Sequence, residues 1–338
     1  MIKEAIAQVV DGHSLTASQA EVVMLEILEG VATPAQWGAL MLALRMKGET
    51  PEELSGFAAA MRARVTVVLT DAPVVDTCGT GGDGAHTFNI STLAALVVAA
   101  AGQPVAKHGN RAMSSVCGSA DLLEGLGVNI QLGPNEVTRC IAATGFGFMF
   151  APLYHPSMRF AGPLRREIGV RTVFNLLGPL TNPARARRQY LGAPNPVIGE
   201  KLARTLALLG SEHALVVCGE GNIDELTLTG ASHVWEVRSG DLCSYMLTPE
   251  QVGLDRCHRD ALAGGDVAQN VAIAQRVLAG EPGPCLDVVL LGAGAALYAA
   301  DATPGIREGI AVAREAVASG RAAETLAAIV AFGAGHDS

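Results

Sequence analysis

The chain has 338 residues, of which 49% are hydrophobic, and a mean hydropathy of +0.32. This length exceeds the usual size of one compact domain, so we expect two domains. The formal net charge of −9 argues against a protein that binds nucleic acid or a membrane surface, because such binding depends on Lys and Arg neutralising phosphates.

The cysteines and the N-terminus indicate the compartment. The seven cysteines are dispersed and show no Cys-x-x-Cys spacing, so we expect neither a disulfide framework nor a zinc site. The first residues lack the basic start and apolar run of a signal peptide, and polar residues interrupt every long apolar stretch. We therefore expect a cytoplasmic protein that has no membrane partner.

Residues 1–70 are predicted to form a small all-helical unit. Helix-start residues recur at Ser18, Thr33 and Thr50, each with Glu or Gln three residues later, which is the pattern of a capping box. The apolar stripes of these helices exceed what a few short helices need. They either pair with a second copy of the chain or dock onto the rest of the same chain. The stripes comprise Val23, Met24, Ile27, Leu28, Trp37, Leu40, Met41 and Leu44.

From Pro73 onward, short apolar runs alternate with helical stretches, which is typical of a parallel sheet flanked by helices. Residues 155–190 are predicted to be helical and loop-rich and to rejoin the N-terminal helices. The chain from Asp266 is predicted to be alanine-rich helix. The predicted strands are 74–77, 104–107, 147–150, 214–218, 234–237 and 242–247, and the helices between them include 91–101 and 119–125.

These elements predict the fold class α/β, with a mainly parallel sheet flanked by helices and a smaller all-helical domain. The 39 glycines and the 4% aromatic content fit helices that pack closely on such a sheet. We place the helical domain at 1–70 plus about 155–188. The α/β domain then comprises 71–154 plus about 189–338.

A glycine-rich loop follows the first predicted strand and precedes a helix. Residues 78–84 read Cys-Gly-Thr-Gly-Gly-Asp-Gly, and a loop of this kind aims backbone N–H groups at an anion such as phosphate. Its glycines satisfy G-x-G-x-x-G, but the acid that a dinucleotide fold needs about twenty residues later is missing. No Gly-Lys-Ser/Thr follows, so a Walker-type site is also disfavoured. For the loop alone, a structural turn without a ligand remains an alternative.

A second polar loop closes the next predicted strand. Residues 107–111 read Lys-His-Gly-Asn-Arg, and Ser114, Ser115 and Ser119 follow. This loop is expected beside the first one, at the carboxyl edge of the sheet. The cations suit phosphate oxygens and the serines supply neutral donors. A solvated basic turn is the alternative when the loop is considered in isolation, but two adjacent loops together predict one polyphosphate site.

An acidic pair, Asp224 and Glu225, lies just past the predicted strand 214–218. Considered alone, adjacent acids in a loop are more often solvated than functional. Mg²⁺, however, typically shares one or two carboxylates with substrate phosphates. Beside a phosphate-binding loop, the pair therefore predicts a magnesium site.

Basic residues recur in the predicted helical return segment at His155, Arg165 and Arg166. One of these arginines could pair bidentately with a carboxylate substrate across the cleft between the domains. A plain surface arginine is the equally open alternative. For His155 alone, a structural role is favoured.

A second glycine pattern, at 288–297, imitates a strand followed by G-x-G-x-x-A. The chain continues as alanine-rich helix, without a second strand or an acid. We therefore interpret Gly292 and Gly294 as sites of close helix packing.

Several ordered motifs give the chain a family resemblance. They lie at 79–83, 89–92, 107–111, 165–183 and 224–225. Through them the chain closely resembles the anthranilate phosphoribosyltransferase family of tryptophan biosynthesis, nearly end to end. The resemblance implies the fold of the nucleoside phosphorylase class II type and a homodimer formed through the helical part. It also implies Mg²⁺ as cofactor, with anthranilate and phosphoribosyl diphosphate (PRPP) as the two substrates.

The resemblance further implies a role for individual residues. Anthranilate would be bound by Gly79, Asn110, His155 and Arg165, with Arg165 rather than Arg166 facing its carboxylate. Mg²⁺ would be held by Ser91, Asp224 and Glu225. PRPP would be bound by Gly79, Gly82, Asp83, Thr87, Asn89, Ile90, Ser91, Thr92, Lys107, His108, Gly109, Asn110, Arg111, Ala112, Met113, Ser114, Ser115 and Ser119.

Two departures from the family pattern are Val116, where a basic residue is common, and Gly292, where Asn is common. Neither position has a role that the resemblance implies. Val116 could loosen the diphosphate loop.

Two alternatives stay open at this point. A pyrimidine nucleoside phosphorylase-type enzyme would need free phosphate and a nucleobase pocket, and product formation from anthranilate separates it from a phosphoribosyltransferase. A non-catalytic, nucleic-acid-binding relative of the fold should be basic and lack the acid pair. The net charge of −9 and the pair Asp224 and Glu225 disagree with that reading, so we expect no nucleic-acid partner.

Overall fold

The computed structural model describes residues 1–81, 83–112 and 116–335. The strands in these ranges are β1 (Val75–Gly79), β2 (Val105–Gly109), β3 (Phe146–Phe150), β4 (Arg188–Gly192), β5 (His213–Gly219), β6 (Ser232–Arg238) and β7 (Asp241–Leu247). They form one sheet in the order β3-β2-β1-β4-β5-β6-β7. Strands β1 to β5 are parallel, and β6 and β7 continue the sheet antiparallel.

Helices cover both faces of the sheet and form the N-terminal unit, so the predicted fold class is confirmed. The helices of the first half are α1 (Ile2–Val10), α2 (Ala17–Leu28), α3 (Pro34–Lys47), α4 (Pro51–Arg64), α5 (Ile90–Ala100), α6 (Ser119–Gly125), α7 (Pro134–Thr144) and α8 (Ala151–Tyr154). Those of the second half are α9 (Met158–Ile168), α10 (Phe174–Leu177), α11 (Pro196–Leu208), α12 (Val267–Leu278), α13 (Pro284–Ala299), α14 (Ile306–Ala318) and α15 (Arg321–Ala334). Short 3-10 turns lie at Gly178–Leu180, Pro249–Val252 and Arg259–Leu262.

The sheet reverses its winding between β1 and β4. From β1 the chain proceeds outward through β2 and β3, then returns to place β4 on the other side of β1. In open parallel sheets, ligands bind outside the carboxyl ends of the strands at such a switch point. Here both strands end on glycine, Gly79 paired with Gly192.

The N-terminal helices begin largely where the capping pattern predicts. Thr33 caps α3 with Gln36, and Thr50 caps α4 with Glu53, each as a complete capping box. The prediction at Ser18 is wrong, because α2 is capped by Thr16 with Gln19. Thr16 supplies the capping hydroxyl two residues earlier in the chain, and Ser18 lies in the first turn of α2.

The apolar core is divided by the sheet. Alternate strand residues such as Tyr190 and Leu215 face α5 and α13, whereas Leu191 and Val216 face the opposite side. On that opposite side, the same apolar cluster extends through α11 into the N-terminal helices. The stripe residues of α2 and α3 are at most 3% exposed, so they pack within the chain itself.

Strand β4 was not predicted, because residues up to 190 were expected to be helical or loop. Its polar start, Arg188-Gln189, and the nearby Arg185 and Arg187 resemble a surface loop. In the structure, four residues of β4 are buried between β1 and β5, and Gln189 donates to the Pro179 carbonyl at 2.9 Å. Neighbouring strands on both sides therefore decide the conformation, rather than the local pattern.

The two glycines of α13 have different environments. A Cβ on Gly294 would lie 2.7 Å from the Ile310 nitrogen and 2.9 Å from the Ile306 carbonyl oxygen, so the interpretation as close helix packing is confirmed there. For Gly292 that interpretation is wrong. A Cβ there would lie 3.5 Å from the Ala94 Cβ and 3.8 Å from the Tyr190 ring, which are ordinary contact distances.

This contrast predicts opposite effects of two matched substitutions. Gly292→Ala should raise the free energy of unfolding by about 0.5–1 kcal/mol, because alanine loses less backbone entropy in a helix. Gly294→Ala should lower it by about 1–3 kcal/mol, because α14 must move away from α13. Urea unfolding of both variants checks this, and a Gly292→Ala variant less stable than wild type would contradict it.

No single helix in the described ranges is long and apolar enough to cross a membrane. The consecutive helices α14 and α15 pass the length and composition test as a pair, with a bend of 68° between them. In the structure, α14 packs on α13, and α15 packs on α5.

Candidate active site

The segment at Asp224 crosses the ends of β1 and β4. A Cβ on Gly192 would lie 1.5 Å from the Asp224 carbonyl oxygen, and one on Gly79 would lie 2.5 Å from its carboxylate oxygen Oδ2. Both strands must therefore end on glycine for this segment to approach the sheet. The sequence pattern identified Gly79 as a site residue but missed Gly192.

The glycine-rich loop and the acidic loop bond directly to each other. The Gly81 N–H donates to Asp224 Oδ2 at 2.8 Å, and the Asp224 N–H donates to Asp83 Oδ2 at 3.2 Å. Gly81 has a φ of +67°, a conformation that favours glycine. The structure thus joins two motifs that lie more than a hundred residues apart in the chain.

Asp224 lies in a strongly negative environment. Burial raises the pKa of its carboxyl well above the ordinary value, and the charges of Asp83 and Glu225 raise it further. No Lys or Arg among the described residues forms an ion pair with any of these three acids. The ionised forms of this cluster are therefore unfavourable in the fold, and a bound cation would stabilise them.

Glu225 is buried beneath this loop, on the side of α5. Its Oε1 accepts from the Ser91 N–H at 2.9 Å, and its Oε2 accepts from the Tyr190 hydroxyl at 2.9 Å. Burial raises the pKa of Glu225 to about 7, whereas the hydrogen bond from Tyr190 and the charge of Lys107 act to lower it.

The oxygen-rich donor set at Ser91, Asp224 and Glu225 fits Mg²⁺, which prefers hard oxygen ligands. In the part of the chain that the structure describes, no three His, Cys, Asp or Glu side chains converge as a complete metal site. Mg²⁺ usually keeps several waters and takes further ligands from substrate phosphates. The residues present therefore suit a cation that arrives with a phosphorylated substrate.

The second predicted loop begins with a buried cation. Lys107 lies within β2, and its ammonium donates to the carbonyl of Thr77 in the neighbouring β1. Burial lowers the pKa of Lys107, and the nearby charges of Asp76 and Glu225 oppose that effect. The positive charge of Lys107 thus lies beneath the acidic cluster.

Arg111 is turned toward two acids of α6. Its Nη1 lies 3.0 Å from Asp121 Oδ1 and 2.8 Å from Glu124 Oε2. The other oxygen of Asp121 accepts from the N–H groups of Ala112 and Gly118, at 2.9 Å each. Asp121 therefore ties together the two ends of the loop, a role that sequence reasoning missed because it requires backbone donors to converge in space.

The remaining predicted PRPP residues surround the start of α5 and the second loop. Asn89 donates to the Cys117 carbonyl at 3.0 Å, and Thr87 forms a bridge with Ala263. Ser119 is the first residue of α6 rather than its cap, and its hydroxyl donates to the Asn110 carbonyl at 3.2 Å. Ile90 and Thr92 are buried in α5, and Gly109 ends β2. Gly82, Met113, Ser114 and Ser115 lie outside the described residues.

Two predicted site histidines are in contact. His108 and His155 are both buried, with their Nε2 atoms 3.1 Å apart. Burial lowers the pKa of His108 to about 3 and that of His155 to about 4, and the neighbouring His155 lowers that of His108 further. Both imidazoles are therefore neutral near pH 7, and one donates to the other.

Arg165 lies in α9, half-buried, with its guanidinium 5.5 Å from the centre of the Phe174 ring. Burial lowers its pKa. It forms no ion pair within the described ranges, whereas Arg166 beside it is exposed. A half-buried cation without a carboxylate partner is suited to an anionic ligand.

Arg171 was not singled out by the sequence, yet it links the helical unit to the glycine-rich loop. Its Nη2 donates to the Gly81 carbonyl at 2.8 Å, and Arg45 of α3 donates to the Arg171 carbonyl. The segment after α9 therefore contacts the glycine-rich loop directly.

Comparisons with known proteins identify the class to which this fold and site belong. Residues 3–65 match a sequence profile described as the helical bundle domain of a glycosyl transferase family, and residues 71–323 match the a/b domain of that family. The anthranilate phosphoribosyltransferase of Chloroflexus aurantiacus is 59% identical over 99% of both chains.

Solved structures agree with this relationship. The crystal structure of anthranilate phosphoribosyltransferase from Thermus thermophilus has a TM-score of 0.92 and 48% identity, covering 97% of this chain and 98% of that one. The enzyme from Saccharomyces cerevisiae in complex with PRPP and Mg has a TM-score of 0.90 and 26% identity, covering 99% and 98%. The chain belongs to the anthranilate phosphoribosyltransferase family.

Proposed function

We propose that the protein transfers the 5-phosphoribosyl group from PRPP to the amine of anthranilate, giving N-(5-phosphoribosyl)anthranilate and diphosphate. This is the family's step in tryptophan biosynthesis. The observation that carries the proposal is the direct bond between the glycine-rich loop and the acidic loop, Gly81 N–H to Asp224, at the switch point of the sheet. The full-length relatives favour this activity over a nucleoside phosphorylase or a non-catalytic relative.

We place PRPP along the carboxyl edge of β1 and β2. Backbone N–H groups of the glycine-rich loop and of the second loop donate to its phosphate oxygens. Lys107, a buried residue of β2, contributes positive charge to this site. The binding residues are those that the resemblance implies: Gly79, Gly82, Asp83, Thr87, 89–92, 107–115 and Ser119.

Mg²⁺ is the proposed cofactor, held by Ser91, Asp224 and Glu225. When bound, it neutralises charge on the diphosphate leaving group. The closeness of Asp83, Asp224 and Glu225, which raises the pKa of Asp224, supports this assignment.

Anthranilate is placed on the side of the helical return segment, in contact with Gly79, Asn110, His155 and Arg165. The Arg165 guanidinium pairs with its carboxylate, and His108 and His155, being neutral, do not compete with Arg165 for that carboxylate. The amine then faces the anomeric carbon of PRPP, with Gly79 where the two substrates meet.

The chemistry follows from this arrangement. The bond from the anomeric carbon to the diphosphate oxygen breaks, and a bond from that carbon to the amine nitrogen forms. Because the amine attacks this carbon directly, no side chain needs to be a covalent nucleophile, and the amine proton then leaves to water. Orientation of the substrates and preorganised donors lower the barrier, and one such donor contributes on the order of 3 kcal/mol.

We also propose a cytoplasmic homodimer, with the helical domain at 1–70 plus about 155–188 providing the dimer contact and the acceptor side. The named stripes are buried within the chain, so the contact must use other residues. Val10, Val31 and Met46 of this domain are 66%, 65% and 87% exposed, which supports a partner surface. Light scattering that gives a monomer mass at micromolar concentration would contradict the dimer.

Arg165→Ala tests the acceptor site. The KM for anthranilate should rise by about 10–100-fold, because a charged hydrogen bond contributes about 1.5–3 kcal/mol, while the KM for PRPP should stay near that of wild type. The loss of anthranilate fluorescence in the presence of PRPP and Mg²⁺ measures both values.

Arg166→Ala is the matched control, because it removes the exposed arginine next in the chain. It should leave both KM values unchanged. A rise in the anthranilate KM for Arg166→Ala and none for Arg165→Ala would reverse the assignment.

A further inference from the structure

Tyr190 lies on β4 and forms a hydrogen bond with the Glu225 carboxylate. Its hydroxyl donates to Glu225 Oε2 at 2.9 Å and accepts from the Leu226 N–H at 2.9 Å. The residue is fully buried. Because a tyrosine hydroxyl has one hydrogen, the bond from Leu226 fixes the direction in which that hydrogen points.

Thr77 is the residue of β1 that lies beside Tyr190 in register. Its hydroxyl donates to the Ser91 carbonyl at 3.0 Å. The Ser91 N–H in turn donates to Glu225 Oε1 at 2.9 Å. Two proposed magnesium ligands, Ser91 and Glu225, are therefore tied to each other and to a pair of adjacent residues in the central strands.

These bonds restrain both oxygens of one carboxylate. Oε2 of Glu225 is held by Tyr190 and Oε1 by the backbone of Ser91, so the group cannot rotate without breaking a bond. Each carboxylate oxygen has more than one lone-pair direction, so both oxygens retain the capacity to bind a cation.

We infer that Tyr190, together with Thr77, is a positioning residue that holds the Glu225 carboxylate in one orientation for the divalent cation that accompanies PRPP. The inference rests on the proposed function, since it concerns the same magnesium site. Partners of this kind, which bond to a metal ligand rather than to the metal, typically change metal affinity by about 10–100-fold.

The substitution Tyr190→Phe tests this with little change in packing. It removes one oxygen and keeps the ring, which lies 3.8 Å from the position of a Cβ on Gly292. PRPP binding is measured by calorimetry over a series of MgCl₂ concentrations, without anthranilate, so that no turnover occurs. The Mg²⁺ concentration for half-maximal PRPP binding should rise by about tenfold or more. At saturating Mg²⁺, the PRPP affinity should return to that of wild type.

Tyr298→Phe is the matched control. It also removes a tyrosine hydroxyl that donates to a glutamate, Glu236 at 2.8 Å, but this pair lies beside His213, at the amino end of β5. Its Mg²⁺ midpoint should equal that of wild type. A shift as large as that of Tyr190→Phe would show a general effect of losing a tyrosine hydroxyl, and would overturn the inference.

The outcomes separate this inference from the proposed function. If Mg²⁺ has no effect on PRPP binding to the wild-type protein, the proposed function fails. If Mg²⁺ acts on the wild type and Tyr190→Phe has the same midpoint, the positioning role fails.

A second pair of variants keeps the inference testable if Tyr190→Phe does not fold. Thr77→Val removes the bond to the Ser91 carbonyl and should raise the Mg²⁺ midpoint, whereas Thr77→Ser keeps a hydroxyl and should not. An unchanged midpoint in Thr77→Val overturns the inference.

Discussion

Replacing Asp224 by Asn and Glu225 by Gln together is expected to remove most of the Mg²⁺-dependent turnover while making the metal-free protein more stable. Losing a residue that only hydrogen-bonds to a metal ligand already lowers metal affinity or activity by about 10–100-fold. Losing two ligands should therefore lower kcat/KM by about a hundredfold or more. The assay with anthranilate, PRPP and Mg²⁺ measures the loss, and a Mg²⁺ titration identical to wild type would exclude these residues as the metal site.

The gain in stability follows from the charges of the cluster. Burial raises the pKa of both carboxyls above their ordinary values, and the neighbouring acids Asp83 and Glu225 raise that of Asp224 further. The ionised forms are therefore less stable in the fold than in the unfolded chain. Neutral amides avoid this repulsion and can still accept from Gly81 and Ser91. At pH 8 with EDTA, we expect the free energy of unfolding to rise by on the order of 2 kcal/mol.

Glu53→Gln is a control that should change the free energy of unfolding in the opposite direction. Glu53 is also a buried carboxylate, but it pairs with Lys47 at 2.9 Å and accepts from the N–H groups of Leu15 and Thr50. Neutralising it leaves Lys47 without its partner, so we expect a loss of about 1–3 kcal/mol. If the Asp224/Glu225 variant lost stability in urea unfolding as Glu53→Gln does, the cluster would not be strained by its own charge.

The parts of the site that the sequence predicts are those with a local signature. A glycine-rich segment after an apolar run, a basic loop after the next run and an acidic pair after a third are each visible without a structure. The parallel sheet then requires their carboxyl ends to lie at one edge, and Asp224 does contact Gly81.

The parts that the sequence did not predict depend on residues distant in the chain. Strand β4 begins with Arg188 and Gln189 and is a strand because β1 and β5 enclose it. Its misassignment concealed Tyr190 and Gly192, both of which lie at the acidic cluster. Asp121 was missed for a related reason, since its function is to accept from two backbone N–H groups whose approach is set by the loop itself.

The contact between His108 and His155 is expected to make the protein less stable as the pH falls below about 6.5. In the folded chain the pKa values are about 3 and about 4, below the ordinary 6.5. At a pH between the folded and the unfolded pKa values, the unfolded chain binds more protons than the folded chain. The stability that the neutral histidines contribute is therefore complete above pH 6.5 and is lost as the pH falls. Each histidine should contribute a loss of about 1.4 kcal/mol per pH unit.

The expected result is therefore a difference between variants in urea unfolding at pH 5.5 and pH 7.5, measured without metal. Glu225, with a pKa raised to about 7, contributes a slope of opposite sign in every variant, so each variant is compared with wild type at the same pH. His155→Gln should lose less stability than wild type on going to pH 5.5, because its amide does not titrate. The exposed His13, replaced by Gln, is the control and should follow wild type. If His155→Gln and wild type showed equal losses, His155 would not be held neutral by its burial beside His108.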